Sequence, residues 1–318
     1  MAPGRKLFSY IGDNVVEYLE DHSQDTGILG SIFLGDTTDV LLNRLESLYR
    51  LYMGDKLEDR IVELVPLCVF LSQTLHDIGK AGDIYQKSLS EKNRDDATGK
   101  IAATFSGHEI FSSVILYKVF ERLTRSSLIA ALFALSVLQH HHAMRTIREL
   151  LFDRTVTLLR KGKQVWRLYC EPEHIVKIVE SSLRSVQEVI REKRVVISDR
   201  IIDIRLGEVY EKQGVPEIMR NVLLEEKDGL RVKRCVSIIE ERISRFAVPL
   251  SRALPIVTSM IVIPDRVSAQ IRRGGSPTRL EVEFLRLIRQ VRKYSQYIGR
   301  FPRHIQDGLK VLCEKARL

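Results

Sequence analysis

Leu41, Leu42, Leu45, Leu48 and Leu51 recur at the three-and-four spacing of a single helix face, so Leu41 to Tyr52 is predicted to be an amphipathic helix. The next apolar stretch, Ile61 to His76, is hydrophobic on nearly all sides. A helix without a polar face belongs at the centre of a bundle, and Pro66 marks either its first turn or a kink. Charge and turn formers from Lys87 to Lys100 predict a loop that could lie over a site. Another helix is expected to open at Ser106 as N-cap, with Glu109 completing a capping box. Ser126 to His142 is then apolar for about four turns before ending in three histidines.

From Glu149 to Pro249 the pattern is mixed and carries no recognisable chemistry. Arg154 to Tyr169 reads as a short strand or hairpin with Gly162 in its turn, and a second β-rich patch spans Val195 to Ile204. Pro255 to Gly275 is apolar again, holds Asp265 directly after Pro264 and ends in two glycines. Beyond it, Leu280 to Phe301 reads as one amphipathic helix, with Phe284, Leu285, Ile288, Val291 and Ile298 on the packed side. Arg286, Arg289, Lys293 and Arg300 lie on another face. These patterns predict an all-α chain: a helical bundle over residues 1–275, interrupted at about 149–250 by a mixed insertion containing a β-hairpin, then a helical extension over 276–318.

Charge sharpens the reading of that extension. The chain carries a net +9, and residues 266–318 hold thirteen Lys/Arg against four Asp/Glu, so residues 1–265 are close to neutral. Such a segment suits a polyanion, and Arg286, Arg289, Lys293 and Arg300 are its candidate nucleic-acid contacts. Tyr294, Tyr297 and Phe301 interleave with them, either as base-stacking platforms or as packing anchors. The N-terminal sequence has no continuous apolar core and no stretch is long enough to span a bilayer, so a cytoplasmic protein without membrane contact is expected. Cys68, Cys170, Cys235 and Cys313 are far apart, which argues against a zinc ribbon or a disulfide framework.

Histidine is where the chemistry concentrates. Six of the eight histidines fall at His22, His76, His108 and the run His140 to His142, and His76 is followed by Asp77 at the end of the central apolar helix. Mixed imidazole and carboxylate ligands suit first-row divalent ions better than all-oxygen shells do. His76, Asp77 and Asp265 could hold one ion, while Asp77 could bridge to a second taken by His108 and two of His140, His141 and His142. A pair of ions about 3.5–4 Å apart lowers the pKa of a shared water and neutralises charge on a phosphodiester. Asp77 is the central catalytic candidate, and Lys80 and Arg145 are placed to contact the phosphate.

His22, the His76 to Lys80 H-D-x-x-K motif, Gly107-His108-Glu109, the run from His140 to Arg145 and the segment around Asp265 together resemble the stand-alone HD nuclease of type I CRISPR interference, in its archaeal form. The resemblance implies an HD-domain helical bundle and one or two divalent transition metals, with Mn²⁺, Ni²⁺ or Co²⁺ favoured and Mg²⁺ allowed. It adds His22 to the ligand set and implies two adjacent histidines from the run, His140 with His141, which is favoured, or His141 with His142. It also implies cleavage of single-stranded DNA in partnership with a separate CRISPR helicase subunit and a guide-RNA complex. The chain has no G-x-x-x-x-G-K-[ST] loop, since Ala97-Thr98-Gly99-Lys100 lacks the first glycine and the hydroxyl, so unwinding would fall to another polypeptide.

Overall fold

The computed structural model describes residues 6–11, 15–92, 105–141, 146–190, 193–197, 200–226, 228–290 and 298–318. The architecture is all-α, as the periodicity predicts, with short two-stranded ribbons at its edges. An N-terminal hairpin, β1 (Phe8–Ile11) with β2 (Val16–Tyr18), leads into α1 (Leu19–Gly30). The leucine-striped helix is α2 (Asp36–Met53), closed by Gly54 in the left-handed region at φ 71°. The central helix is α3 (Asp59–Leu75), buried from Ile61 to Leu75 except at Glu63, with Pro66 well inside it.

Two helices then form a tight antiparallel pair. After α4 (Asp83–Lys92), α5 (His108–Thr124) turns through Arg125 and Ser126 into α6 (Ser127–Gln139), where the Ser126 hydroxyl accepts the Ile129 N–H. A link that short makes the partners antiparallel, which brings the start of α5 beside the end of α6. Both helices are apolar almost all round and pack with α1, α3 and α12 (Leu254–Arg273) into one core.

Between them lie α7 (Ile147–Arg160), β3 (Val165–Trp166), α8 (Pro172–Ile190), the hairpin β4 (Arg194–Ile197) with β5 (Arg200–Asp203), α9 (Leu206–Lys212), α10 (Val215–Glu225), β6 (Leu230–Arg231) and α11 (Val232–Ile238). The β4–β5 hairpin falls where the β-rich patch predicts it. The expected hairpin around Gly162 does not form. Its first arm is α7, nucleated by a capping box between Thr146 and Glu149 and held by the buried Leu150, Leu151 and Leu158, and its second arm pairs with β6.

Two further expectations change. Helix continues through Lys87 to Lys92, where a loop is predicted, and the rest of that loop lies outside the described residues. Helix α5 starts at His108 after Gly107 at φ 88°, with no side-chain cap, because Arg154 of α7 takes both the Ser106 hydroxyl and the Glu109 carboxylate. In the C-terminal segment, α13 (Arg279–Gln290) forms within the predicted amphipathic helix, residues 291–297 lie outside the described residues, and a further helix, α14 (Arg303–Lys315), follows with Pro302 as its N-cap. Their apolar faces pack on the core through Phe284, which meets Phe33 at a ring separation of 5.8 Å, and through the buried Phe301, Ile305 and Leu309. Phe301 is therefore a packing anchor, whereas Lys293, Tyr294 and Tyr297 lie outside the described residues. Among the described residues, no helix is long and apolar enough to cross a membrane.

Candidate metal centre

Five ends and faces of the bundle deliver the histidines and aspartates to one point. His22 lies in the first turns of α1, His76 caps α3 and Asp77 follows it, His108 opens α5, His140 caps α6, and Asp265 sits in the middle of α12. Close approach at the turn after Asp77 depends on Gly79. A Cβ there would sit 2.1 Å from the His108 carbonyl oxygen, so only glycine lets the Ile78–Ala81 turn lie against the start of α5. The Gly79 N–H donates to Ser112 Oγ (2.8 Å), and its carbonyl accepts from Trp166 Nε1–H (2.8 Å).

Two groups of donor atoms result, and Asp77 belongs to both. His22, His76, Asp77 and Asp265 form one group, and Asp77, His108, His140 and His141 form the other, each with its ligand atoms within 4.8 Å of one another. His22 Nε2 lies 3.1 Å from Asp265 Oδ1 and 3.4 Å from Asp77 Oδ2. His76 Nε2 lies 3.5 and 3.6 Å from the same two oxygens. On the other side, Asp77 Oδ1 is 2.8 Å from His108 Nε2 and 3.6 Å from His140 Nε2. The structure thus brings His141, rather than leaving it apart, to His108 and His140, with ring centroids 5.2 and 3.8 Å away. His142 and Arg145 lie outside the described residues.

The tautomers follow from the other ring nitrogen. Nδ1–H donates to a main-chain carbonyl three residues back in His76 (Gln73, 2.8 Å), His108 (Phe105, 2.7 Å) and His140 (Val137, 2.5 Å). In the neutral ring Nε2 is then the lone-pair nitrogen. The Nε2 atoms of His22, His76, His108 and His140, with Asp77 Oδ1, are buried and have no hydrogen-bond partner despite these short separations. Atoms this close without hydrogen-bond angles are aimed at a common point rather than at each other. Each such orphan costs about 1–3 kcal/mol unless something satisfies it. Ligands roughly 2.1 Å from a shared centre stand about 3.0–3.4 Å apart in octahedral or tetrahedral arrangement, close to the separations found here. The donor set fits a divalent cation in each group.

The two carboxyls are held in the ionised form that a cation needs. Burial disfavours charge on Asp77 and Asp265, yet Lys80, His76 and His108 around the first and His22 and His76 around the second hold both carboxyls well below the usual carboxylate range. Burial opposes protonation of His22, but the carboxylates of Asp265, Asp77 and Glu17 outweigh it and raise its pKa well above an ordinary imidazole's, so a cation at His22 Nε2 would have to displace a proton. Lys80 Nζ donates to Asp77 Oδ2 at 2.5 Å.

Beside the second group opens a pocket of about 270 Å³ whose lining includes His108, His141 and Glu109. Lys80, Arg154 and Arg273 bring positive charge to its wall, and Tyr10 and Phe105 bring aromatic rings. Arg273 stacks over the Tyr10 ring at 4.2 Å, and Lys80 lies 5.3 Å from the Phe105 centroid. Sequence reasoning missed Tyr10, Glu17, Gly79, Arg154 and Arg273. By contrast, the basic positions it picked on the extension lie elsewhere: Arg286 pairs with Glu283 (2.9 Å), Arg300 donates to the Val189 carbonyl (3.3 Å), and none of Arg286, Arg289 and Arg300 lines this pocket.

Fold and site together define an all-α protein with a buried histidine–aspartate cluster able to hold divalent metal. Among solved structures, the chain is similar to a CRISPR-associated Cas3 HD domain protein from Methanocaldococcus jannaschii, at 19% identity and a TM-score of 0.39, covering 80% of this chain and 96% of that one. A likeness that loose decides nothing about chemistry. No family model matches the chain, and no curated protein does.

Proposed function

We propose that this chain is a metal-dependent nuclease that hydrolyses phosphodiester bonds of single-stranded DNA in CRISPR interference, beside a separate helicase subunit and a guide-RNA complex. The observation that carries the reading is the convergence of four buried imidazole nitrogens without hydrogen-bond partners on the Asp77 carboxylate, beside a pocket lined by Lys80, Arg154 and Arg273. His22, His76, Asp77 and Asp265 would hold one divalent ion, and Asp77, His108, His140 and His141 a second. Bound there, such ions supply Lewis acidity: a nucleophilic water at neutral pH and positive charge against the phosphodiester.

This chain's own residues do the rest. Lys80, Arg154 and Arg273 draw the strand's phosphates into the pocket, and the rings of Tyr10 and Phe105 offer faces for an adjoining base or sugar. Arg145 is a further phosphate contact in this reading. Arg286, Arg289, Lys293 and Arg300 serve strand or partner binding. The histidine-rich shell favours Mn²⁺, Co²⁺ or Ni²⁺ at least as much as Mg²⁺.

The test is cleavage of end-labelled single-stranded DNA, duplex DNA and a panel of nucleotides with each divalent ion, comparing wild type with Asp77→Ala. Single-strand cleavage that needs metal and disappears in the variant supports the nuclease. Hydrolysis of nucleotides with DNA left intact would replace it with a phosphohydrolase, and inertness toward every substrate would favour a metal-bearing scaffold.

A further inference from the structure

Three of the four buried imidazoles in the cluster are oriented by main-chain carbonyls, and the fourth is not. His22 Nδ1–H donates to Glu17 Oε1 at 3.2 Å, with Ser268 Oγ 3.4 Å away. Glu17 is a buried acid on β2, outside both donor groups. Its second oxygen accepts from Arg273 Nε (3.0 Å) and Nη2 (2.5 Å), so the charge that burial would penalise is matched by a guanidinium at the end of the helix that carries Asp265.

We propose that Glu17 is a positioning residue for His22, turning its Nε2 toward the Asp77 and Asp265 oxygens and strengthening it as a donor without touching the cation. The proposal rests on reading the cluster as a metal centre. A carboxylate behind a ligating imidazole fixes the ring and raises its donor strength, and losing such a partner typically costs 10–100-fold in metal affinity. A carbonyl does the first of these without bringing a full charge; His108 Nδ1 has Glu109 Oε2 3.3 Å away but is already bonded to the Phe105 carbonyl, so of the four it is His22 whose Nδ1 partners are all side chains.

The experiment is calorimetric titration of the metal-free full chain with Mn²⁺, and visible absorption with Co²⁺, for wild type, Glu17→Ala and Glu17→Gln. The glutamine keeps an oxygen that can accept the Nδ1–H and loses the charge. Affinity is expected to fall about 10–100-fold in the alanine variant, with part recovered by glutamine, and with a changed Co²⁺ spectrum in both. Wild-type affinity and an unchanged spectrum in folded Glu17→Gln would overturn the proposal alone, even if Glu17→Ala did not fold. A wild-type protein that takes up no ion would overturn the metal reading and this proposal together.

Discussion

Asp77→Asn separates the metal account from a merely structural one, because Asp77 is the ligand candidate common to both groups. The substitution keeps the side chain's shape and leaves an oxygen near Lys80, but removes the charge that faces four imidazoles. In wild type, one ion at a hundred times its dissociation constant adds about 2.7 kcal/mol to stability. Unfolding entropy is about 2.1 cal/mol/K per residue, so the 318-residue chain responds at roughly 0.67 kcal/mol per degree. The melting temperature is then expected to rise by about 4 °C for one ion and about 8 °C for two. In Asp77→Asn the rise should shrink to about 1 °C or less. Without metal, the variant should start lower, since its Lys80 ammonium loses a buried carboxylate, a change typically worth about 3–5 kcal/mol. Scanning calorimetry with Mn²⁺, Co²⁺ or Ni²⁺, against the same protein in chelator, measures both effects. A variant that keeps the full metal-induced rise would refute the reasoning.

Gly79→Ala should be far more damaging than an exposed glycine change, because its Cβ would meet the His108 carbonyl at 2.1 Å. A loss of about 1–3 kcal/mol by urea unfolding, together with weakened metal uptake, is expected, and near-neutral behaviour would count against the close approach. Glu17 should steepen acid unfolding. Burial raises its pKa, but His22 and Arg273 bring it from 4.5 down to about 2. Its stabilisation, roughly 3 kcal/mol, is full above the unfolded value and lost as pH falls toward the folded one, so Glu17→Gln should flatten the stability curve over that window. Charge reversal of Arg286 and Arg289 tests the extension better than truncation, which would remove the core-facing Phe284 and Leu285 and uncover Phe33 beneath them. If these arginines contact phosphates, the double variant should lower the salt slope of single-strand binding by about 2, and an unchanged slope would exclude them.

The central helices and the histidine clusters were legible because each has a strong local signature. Leucine spacing gave α2, an all-round apolar run gave α3, and imidazoles at helix ends gave His76, His108 and His140 as candidates. The errors arose where a distant residue decides. Thr155, Val156 and Thr157 suggest a strand, yet the Thr146–Glu149 cap and buried leucines make α7 a helix. Ser106 and Glu109 have the spacing of a capping box, but Arg154 claims both. Glu17 has no local signal at all: only the fold reveals that it is buried behind His22. A usable signal did exist in the extension, where Gly299 and Pro302 break the amphipathic pattern before α14. The middle of the chain, silent in sequence, supports the site through Trp166 on Gly79 and Arg154 on Glu109.

The most direct measurement is anomalous diffraction from crystals of the full chain grown or soaked with Mn²⁺. A peak is expected among His22, His76, Asp77 and Asp265, and a second among Asp77, His108, His140 and His141, with donor atoms about 2.0–2.2 Å from each ion. Manganese bound only elsewhere, or a cluster that stays without it at saturating concentration, would contradict the claim that these residues form a metal centre.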